Sequence, residues 1–207
     1  MKPLIALRRL AWLGMVAFSF ASAQNGVAPA DASGPEVAHS LERALIDSMK
    51  AGESLSFQQR YARLEPVIVR SLDVARMARF IFGSKWREFT AEEQDGFLEA
   101  FTTLSVSTYA ARFDEHKGER FDPVSETGQG DDRMLIRSRF TKGSGDTVVF
   151  DYMLMRADGQ WRVVNILTDG ISDLALKRSQ YGALHGKGGM EAVLASIDRQ
   201  IQRLHER

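Results

Sequence analysis

Residues 147–174, TVVFDYMLMRADGQWRVVNILTDGISDL, constrain the fold more than any other stretch. They read as two long antiparallel strands, a tight turn and an exit into a helix. Phe150, Tyr152 and Leu154 sit two apart and so share one face of the first strand. Ala157-Asp158-Gly159 supplies the turn, with glycine free to take a positive φ. On strict alternation the return strand puts Trp161, Val163 and Asn165 on one face, and Arg162, Val164 and Ile166 on the other. Large apolar residues thus occupy both faces, where a half-exposed hairpin would alternate more cleanly. Either protein covers both faces, or one face lines a cavity.

The elements before this hairpin are read from caps and periodicity. A first helix is expected from near Pro35, with Val37, Leu41, Leu45 and Met49 at helical spacing and Gly52 at its end. Ser56 and Gln59 form a capping box for a second helix carrying Tyr61, Leu64 and Ile68, with Pro66 inside it. Asp73 caps a short third helix that stops at Gly83. Thr90 opens the strongest helix, with Glu92 and Glu93 at its positive end. Phe97, Phe101, Leu104 and Thr108 form one stripe of that helix, flanked by Leu98, Ser105 and Tyr109.

The period then changes. Strands are expected over 120–127 and 133–141, the second with Met134, Ile136 and Phe140 on one face. Lys142 to Asp146 reads as a hairpin turn and not a phosphate loop, since no Lys-Ser/Thr ending and no helix follow it. Ser172 caps the next helix, residues 186–189 break it, and 190–204 form a last amphipathic helix. The expected architecture is therefore α+β: a four-stranded, or slightly larger, antiparallel meander packed against N- and C-terminal helices, with an apolar cavity between.

The chain's start reads as an export signal. Lys2, Arg8 and Arg9 precede the apolar run LAWLGMVAFSF, and Ala21-Ser22-Ala23 matches a small-x-small cleavage site. The expected organisation is a signal peptide over 1–23 cleaved after Ala23, a flexible leader over 24–34, and one domain over 35–207. Cleavage removes three of 27 bases and leaves 24 against 27 acids, a net charge of −3. Nucleic acid is therefore not expected as the partner. There is no cysteine, so an oxidising compartment raises no disulfide question. No second apolar run long enough to span a bilayer follows, and the mature chain is expected to be soluble.

Catalytic and metal motifs find no support. His39, His116, His185 and His205 lack the close spacing of a zinc site. The Glu92-Glu93 and Asp131-Asp132 pairs fit a helix start and a turn. No Gly-x-Ser-x-Gly elbow and no GxGxxG after a strand occur. Asp151 and Asp169 are the only acid–base candidates for an enzyme on a cone-shaped α+β fold, and both also suit strand-end or turn roles. What remains is an excess of large apolar side chains, and periodicity alone does not separate a dry core from a lipid tunnel.

A family pattern narrows the choice. Phe80-Ile-Phe-Gly-Ser-Lys-Trp-Arg87, Thr90-Ala-Glu-Glu-Gln94, Phe97-Leu-Glu-Ala-Phe101 and Thr108-Tyr109-Ala-Ala-Arg-Phe113 follow one another in order. Asp151-Tyr152-Met-Leu154, Gly159-Gln-Trp161-Arg-Val163-Val-Asn165, Gly170-Ile171-Ser172-Asp173-Leu174 and Arg178-Ser-Gln-Tyr181 continue the series. Together they resemble the MlaC-like periplasmic proteins, the toluene-tolerance auxiliary family of ABC transport systems. Asn165 stands where that family shows Asp, and Asp173 is inserted, which suggests a divergent branch such as the hopanoid-associated one.

The resemblance implies a soluble periplasmic shuttle with no cofactor and no catalytic residues. Its cargo would be a phospholipid or other membrane lipid. Its implied partners are an inner-membrane MCE-type ABC transporter complex and an outer-membrane lipoprotein complex, with the shuttle itself a monomer. The pool expected to build the cavity is Phe97, Phe101, Leu104, Tyr109, Phe150, Tyr152, Leu154, Trp161, Val163, Ile171 and Leu174. The Phe150–Tyr152–Leu154 face is the specific expectation for lipid contact. Arg76, Arg79, Lys85 and Arg87 are candidates to face a head group or an acidic partner. Two other readings stay open: the small-pocket enzyme, and an envelope interaction protein with a solid core.

Overall fold

The computed structural model describes residues 31–206. The expected signal peptide and residues 24–30 of the leader lie outside the described residues. Five helices run α1 (Gly34–Ala51), α2 (Phe57–Ser71), α3 (Val74–Phe82), α4 (Ala91–Arg112) and α5 (Asp173–His205). Five strands run β1 (Arg120–Gly128), β2 (Arg133–Thr141), β3 (Thr147–Ala157), β4 (Gln160–Thr168) and β5 (Ile171–Ser172). They form one antiparallel sheet in the order β1-β2-β3-β4-β5. The fold is α+β, and its meander has a short fifth strand beyond the four read from the sequence.

Side chains at the helix starts set the boundaries. Ser33, Ser56 and Thr90 each receive the backbone N–H of N3, while Glu36, Gln59 and Glu93 reach back to the cap. Asp73 and Ser172 cap α3 and α5 in the same way with a single bond. The helix α2 continues through Pro66. The last helix remains one element, but its backbone leaves helical geometry at Gly188 and Gly189, so the expected break becomes a kink.

The helices lie on one face of the sheet. Gly34 brings the start of α1 down onto Met134 and Trp161, where an added Cβ would meet Met134 Sδ at 2.9 Å. Gly52, just past the far end of α1, sits against the Asp114 carbonyl, which leaves no room for a Cβ. The helix therefore covers the inner face from its Trp161 end. An aromatic core joins α3, α4 and α5: Phe97 meets Phe82 at 4.9 Å and Tyr181 at 6.0 Å between ring centroids. Each such fully buried side chain stabilises the fold by about 1.5–3 kcal/mol.

Two bulges correct the simple alternation. Leu154 pairs with Val163, but Met153 pairs with Asn165, so Val164 has no partner on β3. The face changes at that point: Val163 and Ile166 share the helix side with Leu154 and Tyr152, and Asn165 pairs with the outer-facing Met153. Strict alternation instead groups Trp161, Val163 and Asn165 and sets Ile166 opposite. The bulged extra residue is the physical reason it failed. A second bulge leaves Val124 unpaired on β1.

Among the described residues no helix covers the outer face of the sheet, and Arg76 of α3 reaches it only at Met155. The face presents Arg133, Arg137, Arg139 and Arg162, with Met153 exposed among them. Asp151 lies on this face and binds Arg137 through two hydrogen bonds of 2.6 and 2.9 Å.

Candidate functional site

A cavity of about 710 Å³ opens between the second half of α4, the start of α5 and the Thr147/Thr168 end of the sheet. That size falls within the range of about 300–1,000 Å³ typical of small-molecule sites. Its walls are Phe101, Leu104 and Tyr109 from α4, Phe140, Val148, Phe150 and Ile166 from the sheet, and Leu174 from α5. Met49, Leu72, Met77 and Phe113 complete the apolar lining. The exposed members of the lining mark the opening: Arg112, Asp114, Glu115, Lys117, Lys142, Thr168 and Asp173.

Helical spacing builds one wall. Phe101, Leu104, Ser105 and Thr108 fall on one stripe of α4. The two hydroxyl residues do not make this stripe polar. Ser105 Oγ donates to the Phe101 carbonyl and Thr108 Oγ1 to the Leu104 carbonyl, each at 2.7 Å. Their hydrogen-bonding capacity turns back into the helix, and what remains towards the cavity is hydrocarbon. On the sheet side, Phe121, Phe140 and Phe150 pack edge-on or tilted at 4.7–6.0 Å.

Of the eleven side chains expected to build a cavity, five line it: Phe101, Leu104, Tyr109, Phe150 and Leu174. Phe97 is at the centre of the aromatic core and has no exposed surface. Tyr152, Leu154 and Val163 are fully buried further along the sheet, beyond the cavity. Trp161 packs beside Gly34 at the opposite end of the sheet. Ile171 points to solvent, 62% exposed. The structure thus divides the Phe150–Tyr152–Leu154 face: only Phe150 meets the cavity, because α1 lies over the rest. Arg76 is held by Asp73 at 3.0 Å, and none of Arg76, Arg79, Lys85 and Arg87 lines the cavity.

Sequence reasoning missed the rim. Asp114 to Glu119 form an irregular loop with no periodicity to mark it, and Lys142 lies in a turn. Within this rim Lys117 Nζ pairs with Glu115 at 2.8 Å, and the Glu119 carboxylate accepts from the backbone N–H groups of Lys117 and Gly143. Those bonds hold the Glu119 carboxyl below its usual range against the opposing effect of burial. Lys177 projects from α5 into the same space.

Polar groups also sit at and behind the wall. Burial, reinforced by Asp173 and opposed by Arg112, pushes the Tyr109 phenol up to about 12. Deeper in, the Glu42 carboxyl of α1 is buried facing the hydroxyls of Ser138 and Tyr152, with His39 close by. Burial raises Glu42 above its ordinary range, and its neighbours only partly offset this. Neither acid–base candidate faces the cavity. Asp151 is bound to Arg137 on the outer face, and Asp169 Oδ1 accepts the Val149 N–H at 2.8 Å. Among the described residues no group of three or more His, Asp or Glu is placed to hold a metal ion.

Comparison with known proteins gives three findings. The family model described as MlaC protein matches residues 40–199. The intermembrane phospholipid transport system binding protein MlaC of Haemophilus influenzae is 20% identical over 127 residues, which cover 59% of this chain and 59% of that protein. The chain therefore aligns with less than two thirds of that relative's length. A phospholipid-binding protein from Ralstonia solanacearum, solved in complex with a phospholipid, superposes with a TM-score of 0.74 at 20% identity. That likeness covers 84% of this chain and 99% of the other, and at this identity it establishes the shared fold.

Proposed function

The chain belongs to the MlaC family, and on that premise we propose that it is a periplasmic carrier that binds one membrane lipid and moves it between the outer and inner membranes. One observation carries the reading: the cavity of about 710 Å³ whose walls are hydrocarbon and whose opening is charged. A lipid has the same division. Each methylene moved out of water contributes about 0.8 kcal/mol, so acyl chains supply binding energy without a covalent step. The head group would stay at the rim formed by Arg112, Lys117, Lys142 and Lys177. The relatives' names point to a phospholipid as cargo.

Docking partners follow from the same reading: an inner-membrane MCE-type ABC transporter complex and an outer-membrane lipoprotein complex, met in turn by a monomer. Asn165, which stands where the family pattern shows Asp, accepts a hydrogen bond from Ser172 Oγ at 3.0 Å. That bond helps seat the start of α5, and an Asp there could accept it equally. Transfer is tested by mixing the purified protein with donor vesicles carrying a fluorescent phospholipid and with unlabelled acceptor vesicles. The proposal expects the protein to speed exchange in proportion to its concentration. Exchange no faster than without protein would overturn it.

A further inference from the structure

The cavity wall carries a cation that its surroundings only partly neutralise. Lys177 sits in the second turn of α5 with its side chain 16% exposed. Its Nζ lies 5.8 Å from the centroid of the Phe101 ring and 5.7 Å from that of Tyr181. Its carboxylate partner is Asp173, 3.7 Å away, whose own side chain is 75% exposed. A pair this loose, with one member in water, gives little. An ammonium drawn out of water over aromatic faces gains from an anion that comes closer.

A second cation faces the same space. Arg112, in the last turn of α4, lines the cavity and makes neither hydrogen bond nor ion pair among the described residues. Between the two helices the Tyr109 hydroxyl lies within electrostatic reach of both Asp173 and Arg112. It too lines the cavity and is free to donate. Lys177, Arg112 and the Tyr109 hydroxyl therefore line one cavity, with the arginine at its exposed end.

We propose that Lys177 and Arg112, with the Tyr109 hydroxyl, form a site for an anionic oxygen of the cargo, and that this oxygen displaces Asp173 from Lys177 on loading. The shared chemistry is a phosphate diester or a carboxylate carried on an acyl chain. Neutral lipids would enter the same hydrocarbon space without this contact. Asp173 acts as a stand-in that keeps the lysine partnered while the cavity is empty. The inference rests on the chain being a lipid carrier.

The test measures binding of dioleoyl phosphatidylglycerol, oleate and dioleoylglycerol to the full mature chain and to two variants. Lys177→Met is expected to weaken phosphatidylglycerol about tenfold, the loss typical of one charged hydrogen bond, and to leave dioleoylglycerol unchanged. Asp173→Asn removes the competing carboxylate, and tighter phosphatidylglycerol binding is expected. Loss confined to oleate would assign the site to carboxylates and still support it. Equal weakening of all three lipids by Lys177→Met, or no change with either variant, would overturn the anion site. Failure of the unaltered chain to bind any of the three would instead overturn the carrier reading.

Discussion

Phe97 and Phe101 lie one helical turn apart on α4 and stack at 5.5 Å, yet only Phe101 reaches the cavity. Phe97 is closed in by Phe82, Trp86 and Tyr181. The two rings should therefore separate stability from binding. Phe97→Ala leaves a void in solid core and is expected to cost about 3–5 kcal/mol in urea unfolding. Its folded fraction should still take up lipid. Phe101→Ala borders space that is already open, so it should cost less while reducing lipid uptake. Equal stability losses with unchanged uptake would contradict the division.

Glu42 gives a pH signature. Burial raises its carboxyl above the ordinary value of 4.5, so the folded chain keeps a proton that the unfolded chain releases. The contribution of this group is full below about 4.5 and falls as pH rises through the raised value. Glu42→Gln keeps the shape and removes the titration. The variant is expected to gain stability relative to the unaltered chain as pH rises from about 4.5 towards neutrality. The nearby His39 favours the carboxylate and so only partly offsets burial. Unfolding midpoints measured across that range should diverge; a constant difference would count against a buried, protonated Glu42.

Asp151 separates the carrier from an enzyme. Its carboxylate is committed to Arg137 on the outer face of the sheet, and that pair raises the Arg137 guanidinium further. Asp151→Asn should lower stability only slightly, because Arg137 is solvated and can be rehydrated when the pair is lost. Lipid binding, measured by tryptophan fluorescence or calorimetry, should not change. Loss of binding with stability intact would place Asp151 in the site and reopen the alternative.

Caps and periods made much of the fold legible. Ser56–Gln59, Asp73, Thr90–Glu93 and Ser172 each mark a helix start that the structure contains, because capping is a local bargain between neighbouring residues. The unpaired Val164 was not legible, since a bulge is fixed by its partner strand and leaves no local composition signal. Phe97 and Phe101 look alike for a related reason. Both belong to one apolar stripe, and what lies opposite each is decided by where α1, α3 and α5 cross. Lys177 was invisible as a site residue because a lysine in the second turn of a helix reads as surface. Its place beneath Phe101 and Tyr181 arises only in three dimensions.

The most direct measurement of the central claim is lipid extraction and mass spectrometry of the protein exported to, and purified from, a Gram-negative periplasm. The account predicts a lipid carrying acyl chains at about one per protein chain, as the size of the cavity allows. Recovery of a phospholipid would fix the cargo class, and recovery of a hopanoid would assign the divergent branch. Protein recovered without lipid, and taking up none from phospholipid vesicles, would contradict the account.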